Sequence, residues 1–212
     1  MSHDDLIGEA LRAAAPAPAE SLPSLAGAAA RAGLLDVAYA TLDSPVGTLL
    51  LAKTPRGLVR LAYLDGAEEP VLEDLAARIS PRVLSAPREL DQFRRELDEY
   101  FAGRRTRFEM TLDWRLTHGF TRRVLQATAR IPYGSVSSYK LMAGEAGSPR
   151  GSRAAGNALG SNPLPIIVPC HRVLQADGRL GGYTGGVERK RLLLSVEGAL
   201  PVSSETDSEE AT

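Results

Sequence analysis

The pattern of apolar and polar residues divides the chain into a strand-rich first half and a helical second half. Three short β-prone runs, separated by the turn sequences SPVG and TPRG, predict an antiparallel meander: residues 37–42, 48–53 and 58–64. Residues 68–79 and 90–101 repeat apolar side chains at helical spacing, and residues 107–114 predict a returning strand. The first half is therefore predicted to be a small α+β domain with an antiparallel sheet.

Helical periodicity dominates the second half, beginning with a predicted helix at residues 117–130. Two short helices follow, joined by a tight turn that contains glycine, and we expect Ser137 and Ser148 to cap them. Such a pair is typical of a helix-turn-helix. A Gly-rich, hairpin-like stretch at residues 177–186 and a last helix at residues 187–197 complete this half, which is predicted to be mainly helical.

Composition separates two terminal segments from these halves. Residues 1–36 form an Ala/Pro-rich extension, and residues 200–212 form an acidic tail that we expect to be disordered. The two domains are then predicted at residues 37–114 and 115–199. No apolar run approaches the roughly 20 residues that a membrane span needs, and the acidic N-terminus is unlike a signal peptide, so we expect a cytoplasmic protein without a membrane partner.

The net charge of −1 conceals an uneven distribution of charged residues. Between Arg115 and Gly198, ten arginines and two lysines accompany only four acidic residues, so this part carries a formal charge of +8 and the rest carries −9. A basic half beside an acidic half is typical of a protein that binds a polyanion such as nucleic acid. Chance clustering of solvated charges is the alternative.

The most informative stretch is a proline-rich loop, NPLPIIVPC, that ends at the single cysteine, Cys170. Its three prolines restrict the backbone, and His171 and Arg172 follow directly. A nearby imidazole or positive charge lowers the pKa of a thiol and favours the reactive thiolate. A lone Cys–His pair is also compatible with an inert, buried cysteine. One cysteine excludes an internal disulfide and a structural zinc site built on several cysteines, so no metal is expected.

The PCHRV segment at residues 169–173 resembles the active-site signature of the O6-alkylguanine-DNA alkyltransferases, also called methylated-DNA–protein-cysteine methyltransferases. The likeness continues in register through residues 120–198 and includes the segments IPYG, SY, RAAG, GSNP, YTGG and EG. Residues 37–114 match only in layout. The resemblance implies an α+β fold with an RNase H-like first domain, and a winged helix-turn-helix second domain that carries the cysteine loop.

The family moves an alkyl group irreversibly from O6 of guanine onto its own cysteine, so the resemblance implies DNA repair with one lesion per protein molecule. Cys170 matches the nucleophile, and His171 matches the residue that takes its proton through a water. Glu197 matches the acid that polarises the histidine, and Asn162 the asparagine that orders the loop. In this relay Glu197 favours the imidazolium and so permits a thiolate.

The resemblance also implies that the target base is flipped out of double-stranded DNA. Arg153 matches the arginine that fills the vacated space, and Tyr139 the tyrosine that crowds the target phosphate. Ala154 and Gly156 belong to the same thin helix, which suits a narrow minor groove. This helix has few long polar side chains to read base edges, so we expect binding that is independent of sequence.

Four more residues match the pocket that holds the flipped guanine. Val173, Tyr183 and Thr184 match its walls, and Lys190 matches a lysine near its rim, with plain surface charge as the alternative for Lys190. The resemblance implies no cofactor. We expect a monomer free in solution, and cooperative binding along DNA stays open.

Two other functions compete with this interpretation. A helix-turn-helix regulator or lesion-recognition module without transfer activity would explain the basic half, but it would not explain a Cys–His pair in a proline-braced loop. Relatives that bind lesions without repair carry tryptophan at the position of Cys170, so the cysteine argues against that class. A Cys–His hydrolase would need an oxyanion hole, and no candidate for one is recognisable in the sequence.

Overall fold

The computed structural model of this protein describes residues 32, 33 and 35–199. Most of the predicted extension at residues 1–36 and the whole acidic tail at residues 200–212 lie outside this range. The described part is a mixed α+β fold, with a sheet in the N-terminal half and helices in the C-terminal half.

A four-stranded sheet with the strand order β3-β2-β1-β4 forms the N-terminal half. Its strands are β1 (Val37–Leu42), β2 (Leu49–Thr54), β3 (Gly57–Tyr63) and β4 (Val83–Ser85). The predicted meander is confirmed, because β1 pairs with β2 and β2 pairs with β3 in antiparallel register. The fourth strand is an addition to the prediction, and it pairs with β1 in parallel.

The predicted strand at residues 107–114 is wrong, because this segment makes only one isolated bridge to the sheet, at Leu58. The outer edge of β3, which no strand covers, is hydrogen-bonded to two separate segments. The Leu58 N–H donates to the Thr111 carbonyl at 2.9 Å, whereas the Leu61 N–H donates to the Pro163 carbonyl at 2.8 Å. Since the C-terminal half occupies the rest of this edge, residues 107–114 cannot extend along it.

Two helices cover opposite faces of this sheet. Helix α1 (Glu69–Arg78) packs Leu75 against one face, and helix α2 (Asp91–Phe101) packs Leu97 against the other. The central strand β2 therefore alternates between two apolar clusters and is buried on both sides.

The C-terminal half begins with helix α3 (Gly119–Thr128), and the short strand β5 (Ser137–Ser138) leads into helix α4 (Tyr139–Glu145). Helix α5 (Ser152–Gly160) follows after a turn and packs against both α3 and α4. The predicted helix-turn-helix is therefore present, with α5 as its second helix.

The predicted caps of α4 and α5 are both shifted. The N-cap of α4 is Ser138 instead of Ser137, and the Ser138 hydroxyl accepts a hydrogen bond from the Leu141 N–H at 3.3 Å. The N-cap of α5 is Gly151 instead of Ser148. The Ser148 carbonyl accepts from the Gly151 N–H at 2.8 Å and closes a turn, so α5 begins only after that turn.

The end of the C-terminal half consists of strand β6 (Val173–Leu174), a Gly-rich loop and helix α6 (Val187–Val196). Strand β6 pairs in parallel with β5. The hairpin predicted at residues 177–186 is wrong, because this stretch contains no strand. Two turns bound the stretch: the Gln175 N–H donates to the Arg179 carbonyl at 2.9 Å, and the Gly186 N–H donates to the Tyr183 carbonyl at 3.0 Å. The glycines between these turns supply no side chains for strand pairing.

One apolar core joins the two halves. It contains Leu49 and Leu97 from the N-terminal half, together with Leu125, Val168 and Cys170 from the C-terminal half. The cysteine loop is thus supported from both sides. Within residues 35–199, none of the helices is long and apolar enough to cross a membrane.

Candidate active site

Asn162 organises the loop that leads to Cys170. Its side-chain oxygen accepts from the Leu164 N–H at 3.0 Å, and its Nδ2 donates both to the Val168 carbonyl at 2.8 Å and to Cys170 Sγ at 3.2 Å. Ile166, in the middle of the loop, has a φ of 71°. A β-branched residue in the left-handed region costs roughly 1–3 kcal/mol, so the surrounding contacts must hold this strained shape in place.

Cys170 opens a short 3₁₀ turn and is only 5% exposed. Burial raises the pKa of its thiol to about 11, although the hydrogen bond from Asn162 and the charge of Lys190 act in the opposite direction. At neutral pH the resting residue is therefore a thiol that must lose its proton during the reaction.

His171 lies behind the cysteine with its Nε2 at 2.8 Å from Glu197 Oε1. Burial lowers the pKa of His171, and this effect outweighs the hydrogen bond and the charge of Glu197, which raise it. The lowered pKa favours a neutral resting imidazole, so the imidazolium of the expected relay forms when the ring takes up a proton. Because an ionised carboxylate only accepts, Nε2 carries the proton and Nδ1 is the basic nitrogen. Nδ1 is buried and has no hydrogen-bond partner among the described residues.

Glu197 receives hydrogen bonds from three side chains. Besides His171, Arg172 donates through Nε at 2.8 Å and through its terminal nitrogen at 2.9 Å, and the Tyr100 hydroxyl donates at 2.7 Å. Burial alone would raise the pKa of Glu197, but these donors outweigh it and hold the pKa at about 2. A permanent negative charge therefore faces His171 and stabilises the imidazolium when that ring accepts a proton.

The sequence indicated neither of these two additional partners of Glu197. Arg172 lies within the PCHRV segment, and its position next to His171 could have indicated that it lies near the partner of His171. Tyr100 lies on α2, in the other half of the chain, and only the folded structure brings its hydroxyl to Glu197.

A cavity of about 1030 Å³ opens in front of Cys170. Six of the residues singled out in the sequence line it: Tyr139, Arg153, Gly156, Cys170, Tyr183 and Thr184. The other six lie outside its wall: Ala154, Asn162, His171, Val173, Lys190 and Glu197. Three further lining residues have polar side chains that the sequence did not single out as site residues: Ser152, Asn157 and Gln175.

Arg153 and Tyr139 flank the mouth of this cavity. Arg153 is exposed at the start of α5, and within the part of the chain that the structure describes it makes no ion pair. Tyr139 begins α4, and its ring lies against Gly156 of α5, where an added Cβ would be 3.8 Å from the ring. Ala154 is exposed on α5. The thin helix therefore presents a charged side chain and a small-residue surface beside the thiol.

Both predictions for Lys190, a lysine near the rim of the pocket or a plain surface charge, are wrong. The residue lies neither in the lining of the cavity nor on the surface. It is 0% exposed, and its Nζ donates to the carbonyl of Val173 at 2.7 Å and to the carbonyl of Leu180. Burial lowers the pKa of Lys190 to about 8. The Val173 side chain is also fully buried. Both residues therefore support the loop behind the cavity.

Thr184 and Tyr183 connect the cavity wall to both halves of the chain. The Thr184 hydroxyl donates to the Gly160 carbonyl at the end of α5 at 2.8 Å. The Tyr183 hydroxyl lies 2.7 Å from the hydroxyl of Tyr63, at the end of β3. The sequence did not indicate that Tyr63 contacts the site, because strand periodicity identifies it only as one residue of a half-buried strand.

Two family models match the chain. The first, described as the ribonuclease-like domain of 6-O-methylguanine DNA methyltransferase, matches residues 37–114. The second, described as the DNA binding domain of 6-O-methylguanine DNA methyltransferase, matches residues 119–199.

Individual proteins agree with these matches. The methylated-DNA–protein-cysteine methyltransferase of Mycobacterium tuberculosis is 44% identical over 159 residues, which cover 75% of this chain and 91% of the relative. The Methanosarcina acetivorans protein of the same name is 37% identical over 161 residues, covering 76% and 98%. Among solved structures, M. tuberculosis OGT in complex with DNA has a TM-score of 0.67 at 40% identity, covering 76% of this chain and 93% of that one.

Proposed function

This chain belongs to the 6-O-methylguanine DNA methyltransferase family, and from that membership we propose that it repairs DNA by moving the alkyl group from O6 of guanine onto Cys170. The observation that carries the assignment of Cys170 is its place at the cavity. It is the only cysteine of the chain, it lines the cavity, and it is followed directly by His171, which is hydrogen-bonded to Glu197.

The proton of the thiol has one suitable destination. Nδ1 of His171 is the free basic nitrogen, so a water between the thiol and this nitrogen carries the proton across. The fixed negative charge of Glu197 stabilises the imidazolium that forms, and Asn162 donates to the sulfur as its negative charge develops. The thiolate thus exists only along the reaction, which agrees with a resting pKa of about 11.

Methyl transfer then exchanges two bonds. The thiolate forms an S–C bond to the methyl carbon while the C–O6 bond breaks, and the bonding pair stays on the oxygen of the leaving guanine. Overall the thiol proton replaces the methyl group on the base, so the products are guanine and a thioether. A thioether has no good leaving group, and no second cysteine is available to remove the methyl group. Each protein molecule therefore acts once.

We assign the DNA contacts to the helix-turn-helix. The target base must leave the stack to reach Cys170, and we assign the filling of the vacated space to Arg153, because its side chain is exposed and lines the cavity. The small residues of α5 favour approach through the minor groove without reading the sequence of bases. The basic charge of residues 115–199 supplies the attraction to phosphate.

Several finer features belong to the same proposal. We assign DNA binding and transfer to residues 115–199 and support of the cysteine loop to residues 37–114. We keep a monomer as the form free in solution, with cooperative binding along DNA as an open alternative. The cytoplasm remains the proposed location, since a free catalytic thiol persists best in a reducing compartment.

A transfer assay with labelled methyl separates this function from its competitors. The protein is incubated with duplex DNA that carries one O6-methylguanine with a radiolabelled methyl group. We expect the label to move to the protein. Label that stays on the DNA would indicate a binding module, and label released to solvent would indicate a hydrolase. Either of these outcomes would contradict the proposed function.

Replacing Arg153 with alanine should harm repair of duplex DNA selectively. Flipping costs a few kcal/mol, which Arg153 offsets, so we expect transfer from duplex to slow by roughly 10- to 100-fold. Transfer from free O6-methylguanine base, which needs no flipping, should change by less than about twofold. Single-turnover rates on both substrates provide the measurement.

The matched control for this prediction is Arg150→Ala. Arg150 is also exposed and lies three residues earlier, but it does not line the cavity. At saturating duplex, where a weaker attraction to phosphate does not limit the rate, we expect Arg150→Ala to leave the ratio of the two rates unchanged. Equal losses on duplex and free base in Arg153→Ala would exclude a role for Arg153 in base flipping.

A further inference from the structure

The hydroxyl groups of Tyr63 and Tyr183 form a hydrogen bond of 2.7 Å between the N-terminal sheet and the cavity wall. The two rings meet edge to face, with centroids 6.2 Å apart. Tyr183 lines the cavity together with Cys170, and its ring lies edge-on to His171 at a centroid distance of 6.4 Å. A residue of the N-terminal half therefore touches the side chain that forms the wall beside the nucleophile.

Tyr63 is itself held in place by Arg189. The guanidinium of Arg189 lies over its ring at 4.7 Å from the centroid. Arg189 is fixed in turn by the Val46 carbonyl, which accepts from its Nε at 2.7 Å, and by an ion pair with Asp65. These contacts combine a residue of α6 with two residues of the N-terminal half, so the Tyr63 ring has little freedom to move.

Gly185 shows how closely the cavity loop is fitted to Tyr63. A Cβ added at Gly185 would lie 2.5 Å from a carbon of the Tyr63 ring and 2.9 Å from the ring of Tyr183. Only glycine allows this approach of loop backbone to the ring. The loop is thus anchored at two points, by Thr184 to the end of α5 and by Tyr183 to Tyr63.

We propose that Tyr63 is a positioning residue for alkyl transfer, which acts by holding Tyr183 and the loop of residues 183–186 against the cavity beside Cys170. This inference rests on the proposed function and adds a role for the N-terminal half in the chemical step. Burial raises the pKa of both tyrosines, so both hydroxyls stay protonated and the bond persists at neutral pH. Because Tyr63 lies behind the wall of the cavity, its effect falls on the rate of transfer and leaves DNA affinity unchanged.

The test compares Tyr63→Phe with wild type in single-turnover reactions on O6-methylguanine duplex. Tyr63→Phe keeps the ring and removes one hydrogen bond, so we expect the first-order rate at saturating DNA to fall by roughly 3- to 10-fold. The Kd for the duplex should stay within about twofold of wild type. The matched control is Tyr39→Phe, which removes a hydroxyl of the same sheet that bonds Glu68 instead of the cavity loop, and it should transfer at the wild-type rate.

The partner variant Tyr183→Phe completes a double-mutant cycle. If the two hydroxyls act through their mutual bond, the double variant should be about as slow as the slower single variant. Losses that multiply in the double variant, or a Tyr63→Phe protein that reacts at the wild-type rate, would overturn the proposal. A wild-type protein that transfers no methyl would instead overturn the proposed function, so the two failures are distinguishable.

Discussion

His171→Ala should slow methyl transfer by about 10²- to 10⁴-fold while duplex DNA still binds with nearly wild-type affinity. In the proposed mechanism the imidazole receives the proton of a thiol whose pKa burial has raised to about 11. Without the imidazole, the thiol proton would have to pass directly to water, although Cys170 is only 5% exposed. We assign the DNA contacts to the helix-turn-helix and not to His171, so the Kd for undamaged duplex should change by less than about twofold. Single-turnover rates and fluorescence anisotropy provide the two measurements.

The matched control is His118→Ala. His118 is exposed at the start of α3 and is not among the residues that line the cavity, so its removal should leave the transfer rate unchanged. Glu197 keeps its bonds from Arg172 and Tyr100 in the His171 variant, which limits the loss of stability. A parallel loss of DNA affinity and transfer rate would indicate a structural role for His171 instead of a chemical one.

Glu197→Gln should destabilise the protein by about 3–5 kcal/mol at neutral pH, in addition to slowing transfer. The amide removes the charge that compensates Arg172, which is buried and bonded to Glu197 through two nitrogens. The amide nitrogen would also face donors of Arg172 or His171. Urea unfolding monitored by circular dichroism measures this loss. The control is Glu188→Gln in the first turn of α6, the helix whose C-cap is Glu197. The Glu188 side chain is 89% exposed, so this change should alter stability by less than about 0.5 kcal/mol.

The pH dependence of stability gives this prediction a second readout. The pKa of Glu197 is about 2 in the folded protein against an ordinary value of 4.5. A lowered folded-state pKa adds stability that is fully present above pH 4.5 and is lost as the pH falls towards 2. The difference in stability between wild type and Glu197→Gln should therefore shrink over that range. A constant difference across it would contradict the assigned ionisation of Glu197.

Local sequence patterns predicted most of the fold, because alternation and helical spacing are properties of contiguous residues. They failed where a distant segment decides the outcome. Residues 107–114 look like a strand, but the edge of β3 that they would need is shared with the Pro163 carbonyl. Ser148 has the sequence features of a helix cap, but its carbonyl accepts from the Gly151 N–H and closes a turn. Helix α5 therefore begins only after that turn, with Gly151 as its N-cap.

The candidate site likewise contains residues that a local motif predicted and residues that only the fold brings together. Cys170 and His171 are neighbours in the chain, and the motif that contains them made both recognisable. Tyr100 and Tyr63 come from the N-terminal half, and their hydroxyls reach Glu197 and Tyr183 only because one apolar core joins the halves. A single sequence shows where apolar residues recur, but it does not show which distant hydroxyl will meet a buried carboxylate.

The central claim is that Cys170 accepts the alkyl group once and is then consumed. The most direct measurement is the intact mass of the protein after incubation with a molar excess of duplex carrying O6-methylguanine, followed by peptide mapping. We predict a gain of one methylene unit per molecule, located on Cys170, with one lesion repaired per protein and no gain in Cys170→Ser. Repair of several lesions by one molecule, or a methyl group on any other residue, would contradict the account.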